Sequence, residues 1–169
     1  MIPSLPRLAV SLSVAALWLG GCSPAEKPSA QTPPSAPPPA AAGVRTVSIT
    51  GDDTMKFNVT EVAAAPGEPL RVVFTNVGKL PKQAMAHNWV LLQPCSEAEL
   101  NAFGTAAVLA APTHIPAAKQ AQVIAHTKLL GPGESDTIDF KAPSQPGEYP
   151  FICTFPGHFA MMRGKLVVK

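Results

Sequence analysis

Cys153-Thr154-Phe155-Pro156-Gly157-His158-Phe159-Ala160-Met161-Met162 lies close to the carboxyl end of the 169-residue chain. It gathers a thiol, an imidazole and two thioethers into one short stretch. Four residues separate Cys153 from His158, and three more separate His158 from Met162. One tight loop can therefore present three donors together. Pro156 and Gly157 supply the turn: proline pre-sets one backbone angle and lacks an N–H, and glycine tolerates positive φ. A fourth donor must come from elsewhere, and His87 in Met85-Ala86-His87-Asn88-Trp89 is the best candidate.

A thiolate, two imidazoles and a thioether form a soft donor set that suits copper, with the methionine as a weak axial ligand to a trigonal His2Cys plane. The thiolate favours Cu(I) and the imidazoles accept Cu(II), so the expected chemistry is one-electron transfer between the two states. Four protein ligands leave no evident open position, which disfavours a small-molecule substrate and enzymatic turnover. A structural zinc site uses Cys and His but rarely Met. A copper oxidase or nitrite reductase needs a second copper centre, for which the chain has neither the additional His cluster nor the length. A copper-storing or copper-delivering protein could use the same ligands and stands as the alternative.

The loop resembles the copper loop of the cupredoxins, specifically the azurin and auracyanin type. Leu80-Pro81-Lys82, Met85-Ala86-His87-Asn88-Trp89-Val90-Leu91 and Val123-Ile124-Ala125-His126-Thr127-Lys128-Leu129 fall in azurin order and at azurin-like separations, and Met55-Lys56-Phe57-Asn58 resembles an early azurin segment. The resemblance implies His87, Cys153 and His158 as equatorial ligands and Met162, rather than Met161, as the axial one. Azurins usually carry Gly before the first His; here Ala86 stands there, its carbonyl the candidate for a weak second axial oxygen. Asn88 and Thr154 match positions that hydrogen-bond between the ligand loops in azurins, and such contacts orient ligands and tune the metal. Two further features depart from the family pattern. There is no Cys pair near the start of the domain, and Asn76 occupies the place where some azurins carry a titrating His, so no redox-linked proton switch is expected there.

The amino terminus bears on location. Arg7 precedes an apolar run over residues 8–19, too short for a bilayer span and of the length of a secretory h-region. It ends in Leu19-Gly20-Gly21-Cys22, which resembles a bacterial lipobox. Residues 1–21 are thus expected to be a lipoprotein signal peptide and Cys22 the acylated first residue. The periplasmic side of the cell envelope is the expected location, with Ser23 favouring the outer membrane by family analogy. Residues 22–43 are rich in Pro and Ala and cannot bury a core. At the extension of a polyproline segment, residues 23–43 span up to roughly 65 Å, a disordered tether between lipid and domain.

Residues 44–169, about 125 in number, suffice for one continuous core. Period-two alternation marks strands at Thr46-Val47-Ser48-Ile49-Thr50 and Leu70-Arg71-Val72-Val73-Phe74-Thr75. Further strands are expected over 87–92, 136–141, 148–153 and 165–168. Pro66-Gly67, Gly131-Pro132-Gly133 and Gln145-Pro146-Gly147 mark turns. The pattern is that of an all-β antiparallel sandwich, and the resemblance makes it the Greek-key sandwich of cupredoxins. Ser96-Glu97-Ala98-Glu99 reads as a capping box opening a short helix with Leu100, Phe103 and Ala107 on one face, a helical flap on the sandwich.

Of the remaining side chains, His114 has no neighbouring donors and is expected to face solvent, and His126 to be structural or solvent-exposed. Cys95, beside a strand end, reads as buried packing, and Trp89 as core. Without Arg7 the chain carries 12 basic against 11 acidic residues, and no basic stripe argues for nucleic acid. Partners are expected to be redox proteins, cytochromes among the plausible ones. They would dock on an apolar patch of Met85, Phe155, Pro156 and Phe159 around His158.

Overall fold

The computed structural model describes residues 43–169; the expected signal peptide, the lipidation site Cys22 and nearly all of the tether lie outside the described residues. Among the described residues, eight strands form two sheets. The smaller orders β1 (Arg45–Gly51), β3 (Pro69–Asn76) and β6 (Ser135–Lys141) as β1-β3-β6. The larger contains β2 (Glu61–Ala64), β4 (Val90–Leu92), β5 (Val123–His126), β7 (Gly147–Ile152) and β8 (Arg163–Val168), in the order β2-β8-β7-β4-β5. Four strand pairs are antiparallel, but β1 pairs with β3 and β2 with β8 in parallel. The parallel pairing departs from uniform antiparallel register. Parallel neighbours need a crossover, and β2, laid in the opposite sheet between β1 and β3, provides one.

The core fills the space between the sheets. Ile49, Leu70, Val72 and Phe74 face Trp89, Leu91, Phe151, Leu166 and Val168 across it, all buried. Alternation holds on β3, where Leu70, Val72, Phe74 and Asn76 point inward. Arg71 is also buried, its guanidinium bonded to both oxygens of Asp139 on β6 at 2.7 Å. β4 does not alternate: Val90, Leu91 and Leu92 are all buried. Its outer face is covered by α2 (Glu97–Val108), whose Leu100 and Phe103 pack on Val90, Leu92 and Ile152. A strand covered on both faces reads as a continuous apolar run.

The helix begins as expected. Ser96 caps it, accepting from Glu99 N–H at 3.3 Å while the Glu99 carboxylate accepts from Ser96 N–H at 2.8 Å. A shorter helix, α1 (Lys82–Met85), and two single 3-10 segments, Ala117–Gln122 and His158–Ala160, complete the described elements. No helix among the described residues is long and apolar enough to cross a membrane.

Three expectations need correction. His87, Asn88 and Trp89 lie before β4 rather than within it, because His87 makes only an isolated bridge to Leu130. Cys95 is exposed, not buried: it directly precedes the helix cap, in the turn leaving β4. His114 is buried, not solvent-facing, because its ring folds back onto the helix end.

Candidate metal centre

Two segments that adjoin strands of the larger sheet build the site. Cys153 follows the last residue of β7, and its N–H donates to the carbonyl of Met162 at 2.9 Å, so the loop is closed at its base by backbone. Within it His158 N–H donates to Phe155 carbonyl at 3.0 Å, and Gly157 has φ 84° and ψ −15°. That is the left-handed third position of a type II turn, with Pro156 in the second. Met162 N–H then bonds back to His158 carbonyl at 2.8 Å.

His87 arrives from the other segment. Its N–H donates to Leu130 carbonyl at 3.0 Å and its carbonyl accepts from Leu130 N–H at 2.8 Å. Asn76, fully buried, steadies this bridge: its Nδ2 donates to the same Leu130 carbonyl at 3.1 Å, and its Oδ1 accepts from Gly78 N–H at 2.9 Å. No titratable side chain occupies that position. Asn88 locks the two segments together. Its Nδ2 donates to Thr154 Oγ1 and its Oδ1 accepts from Thr154 N–H, each at 2.8 Å and buried.

The fold thereby brings three donors to one point. Cys153 Sγ lies 3.8 Å from His87 Nδ1 and 3.6 Å from His158 Nδ1, and the two Nδ1 atoms are 3.2 Å apart. Exposure is 0% for His87, 0% for Cys153 and 3% for His158. Met162 is fully buried, whereas Met161 is 56% exposed and turned to solvent. A Cβ on Gly51, at the end of β1, would collide with the terminal methyl of Met162 and come within 3.2 Å of Phe74. Gly51 therefore makes the room in which the Met162 thioether lies. Ala86 is buried beside His87.

Burial sets the protonation of this cluster. It holds the His158 imidazole down at about 4, with the neighbouring His87 acting in the same direction. It lowers His87 too, opposed by the Asp52 backbone and the Asp53 and Asp52 carboxylates. It pushes the Cys153 thiol up to about 12, against opposing hydrogen bonds from the backbone around Asn88 and Phe155. Near neutrality the cluster is two neutral imidazoles facing each other and a thiol. Two such nitrogens offer lone pairs to one point, and a soft cation satisfies both while drawing the thiol to thiolate. The residues present fit copper.

Apolar side chains flank the ligands in the chain. The ring of Phe155 lies 4.8 Å from that of His158 by centroids, and Met85, Phe155, Pro156 and Phe159 are all partly exposed. His126 is exposed at the end of β5. Sequence reasoning missed His114, whose ring meets Phe155 edge-on at 5.7 Å, and the two glycines, Gly51 and Gly104, on which loop side chains rest. Gly104 alone left a signal, as a glycine inside a helical pattern.

Comparison with known proteins agrees with this geometry. The family of copper binding proteins described as plastocyanin/azurin matches residues 44–169. Azurin of Achromobacter denitrificans is 39% identical over 122 residues, 70% of this chain and 80% of the relative. Azurin of Pseudomonas aeruginosa is 39% identical over 126 residues, 73% of this chain and 84% of the relative. Auracyanin A, a blue copper protein of Chloroflexus aurantiacus, superposes with a TM-score of 0.68 at 33% identity, covering 75% of this chain and all of its own. The chain belongs to the plastocyanin/azurin family of copper-binding proteins.

Proposed function

We propose that this is a blue-copper electron carrier that passes single electrons between redox proteins of the bacterial cell envelope. The observation that carries the reading is the convergence of three buried, uncharged donors, His87 Nδ1, His158 Nδ1 and Cys153 Sγ. His87, Cys153, His158 and Met162 would hold the metal, with the Ala86 carbonyl as the candidate for one further weak contact. Bound copper supplies a one-electron couple between Cu(I) and Cu(II). The chain's own residues do the rest: the Asn88–Thr154 bonds fix the two ligand segments against each other, and burial excludes water. Ligands held by a rigid frame move little as charge changes.

Met85, Phe155, Pro156 and Phe159 form the docking edge, where apolar contact brings the partner's redox centre close to His158. Cys22 carries the lipid after residues 1–21 are removed, and the Pro/Ala tether lets the domain move between donor and acceptor while anchored, with the outer membrane as the favoured site. Acylation adds about 0.8 kcal/mol of membrane affinity per buried CH2, and more than one chain is needed for stable anchoring. Azurin and auracyanin relatives support the carrier reading.

A redox titration of the copper-loaded protein in a thin-layer cell tests it, with a Cu(I) chelator added in a parallel sample. A reversible one-electron change with copper retained through repeated cycles is the expected result. Copper lost to the chelator within a cycle would instead favour delivery of the ion.

A further inference from the structure

We propose that helix α2 and the loop after it splint the copper loop, with Gly104 and His114 as positioning residues that hold the His158 imidazole through Phe159 and Phe155. Three independent ties join the two parts. At the start of the helix, Arg163 Nη1 donates to Glu97 at 2.6 Å while its Nε and Nη2 donate to the carbonyl of Ala160, the end of the 3-10 turn that begins at His158. In the middle of the helix, Phe159 seats in a notch at Gly104. A Cβ there would lie 2.6 Å from ring carbon Cδ1 and nearer still to Cγ. At the far end, His114 Nδ1 bonds the Ala107 carbonyl at 2.9 Å, and its ring meets Phe155, which in turn lies against His158.

The glycine is the informative member. Gly104 is a buried interior helix residue whose φ is not in the left-handed region, so the backbone does not require it. Glycine in a helix interior costs about 1 kcal/mol relative to alanine. The space taken by the Phe159 ring is what the missing Cβ provides. His114 is fixed in a comparable way, since it sits at φ 55° with its N–H on the Ala110 carbonyl and its ring on the Ala107 carbonyl, which also accepts from Ala110 N–H at 3.1 Å. The two aromatic residues flank His158 in sequence and are both braced from the helix side. Phe155 lies against the imidazole and Phe159 follows it in the chain, so bracing both limits the orientations open to His158.

The inference rests on the copper reading of the site, and Gly104→Ala in the full copper-loaded chain tests it separately. Helix propensity alone predicts a more stable protein with an unchanged copper signature. The splint predicts an altered visible band and copper hyperfine splitting, with copper affinity reduced by about tenfold, the low end for residues that orient ligands. It also predicts that Gly104→Ala changes nothing further in a Phe159→Ala background, where the clash partner is gone. A blue parent with an unchanged Gly104→Ala spectrum, or an effect that persists in full without Phe159, overturns the splint. A parent with no blue band would instead count against the copper reading. Should Gly104→Ala fail to fold, Phe159→Leu empties the notch and is expected to broaden the hyperfine lines; an unbroadened spectrum overturns the splint equally.

Discussion

His114 and the pair His87 and His158 are buried to similar degrees, at 8%, 0% and 3% exposure, yet their surroundings differ in kind. His114 Nδ1 faces a backbone carbonyl, which accepts its proton, and the ring is satisfied by the fold itself. His87 Nδ1 and His158 Nδ1 face each other and a thiol at 3.2 to 3.8 Å. Buried polar atoms are normally satisfied. A buried imidazole bonded to a carbonyl is part of the scaffold, whereas imidazoles converging on one point, with no carbonyl between them, are arranged for a cation.

Breaking the two neighbourhoods one at a time should separate them most sharply. His87→Ala and His158→Ala are each expected to reduce copper affinity by more than about 100-fold, beyond the range for residues that only orient ligands. His114→Ala should cost no more than about tenfold by the same measure. Competition against a chelator of known affinity reads all three, and equal losses would erase the distinction.

The metal-free protein offers a second contrast, through pH. An unfolded His takes its proton near 6.5, but His158 in the fold does so only near 4, so between those values the unfolded chain binds more protons. Stability of the metal-free fold is therefore lost as pH falls through this window, by on the order of 3 kcal/mol, with His87 acting in the same direction. At the alkaline end the Cys153 thiol, raised to about 12, makes stability fall as pH rises above the ordinary thiol range. Copper on the imidazoles should move the acid limb to lower pH. Denaturant unfolding with and without copper checks this, and a metal-free protein equally stable at pH 7 and pH 4.5 would contradict it.

Smaller effects follow from the supports. Asn88→Ala leaves Thr154 N–H and Oγ1 buried without their partner, at a cost of about 2 kcal/mol, and the thermal midpoint should fall together with a change in the blue band. Ser96→Ala removes the helix cap for about 1 kcal/mol. Its spectrum should stay as it was, since the Arg163 link beside the cap ends on the Ala160 carbonyl and not on a ring that touches His158. A spectral change in Ser96→Ala would show that the helix is coupled to the metal through its whole length.

The donors were legible unevenly, and for physical reasons. Cys153, His158 and the Pro156-Gly157 turn sit on one loop, so their spacing carries the geometry locally. His87 comes from a segment 66 residues before Cys153 in the chain, and only its resemblance to a known pattern ties it to the loop. The capping box at Ser96 and the alternation on β3 are local signals and were readable as such. β2 was not: Glu61-Val62-Ala63-Ala64 is short and half alanine, a residue depleted in strands. His114 was misread because the loop after the helix turns back and brings its ring to the Ala107 carbonyl, a turn that spacing alone does not show. Cys95 was misread as packing although Ser96, the cap, already set it just outside the helix.

The central claim, that Cys153 with His87 and His158 forms a blue-copper site, is tested most directly by the visible absorption and electron paramagnetic resonance of the copper(II)-loaded chain beside Cys153→Ala. The account predicts an intense thiolate-to-copper band with narrow copper hyperfine splitting, both absent from the variant. A pale spectrum that the substitution leaves unchanged would contradict it.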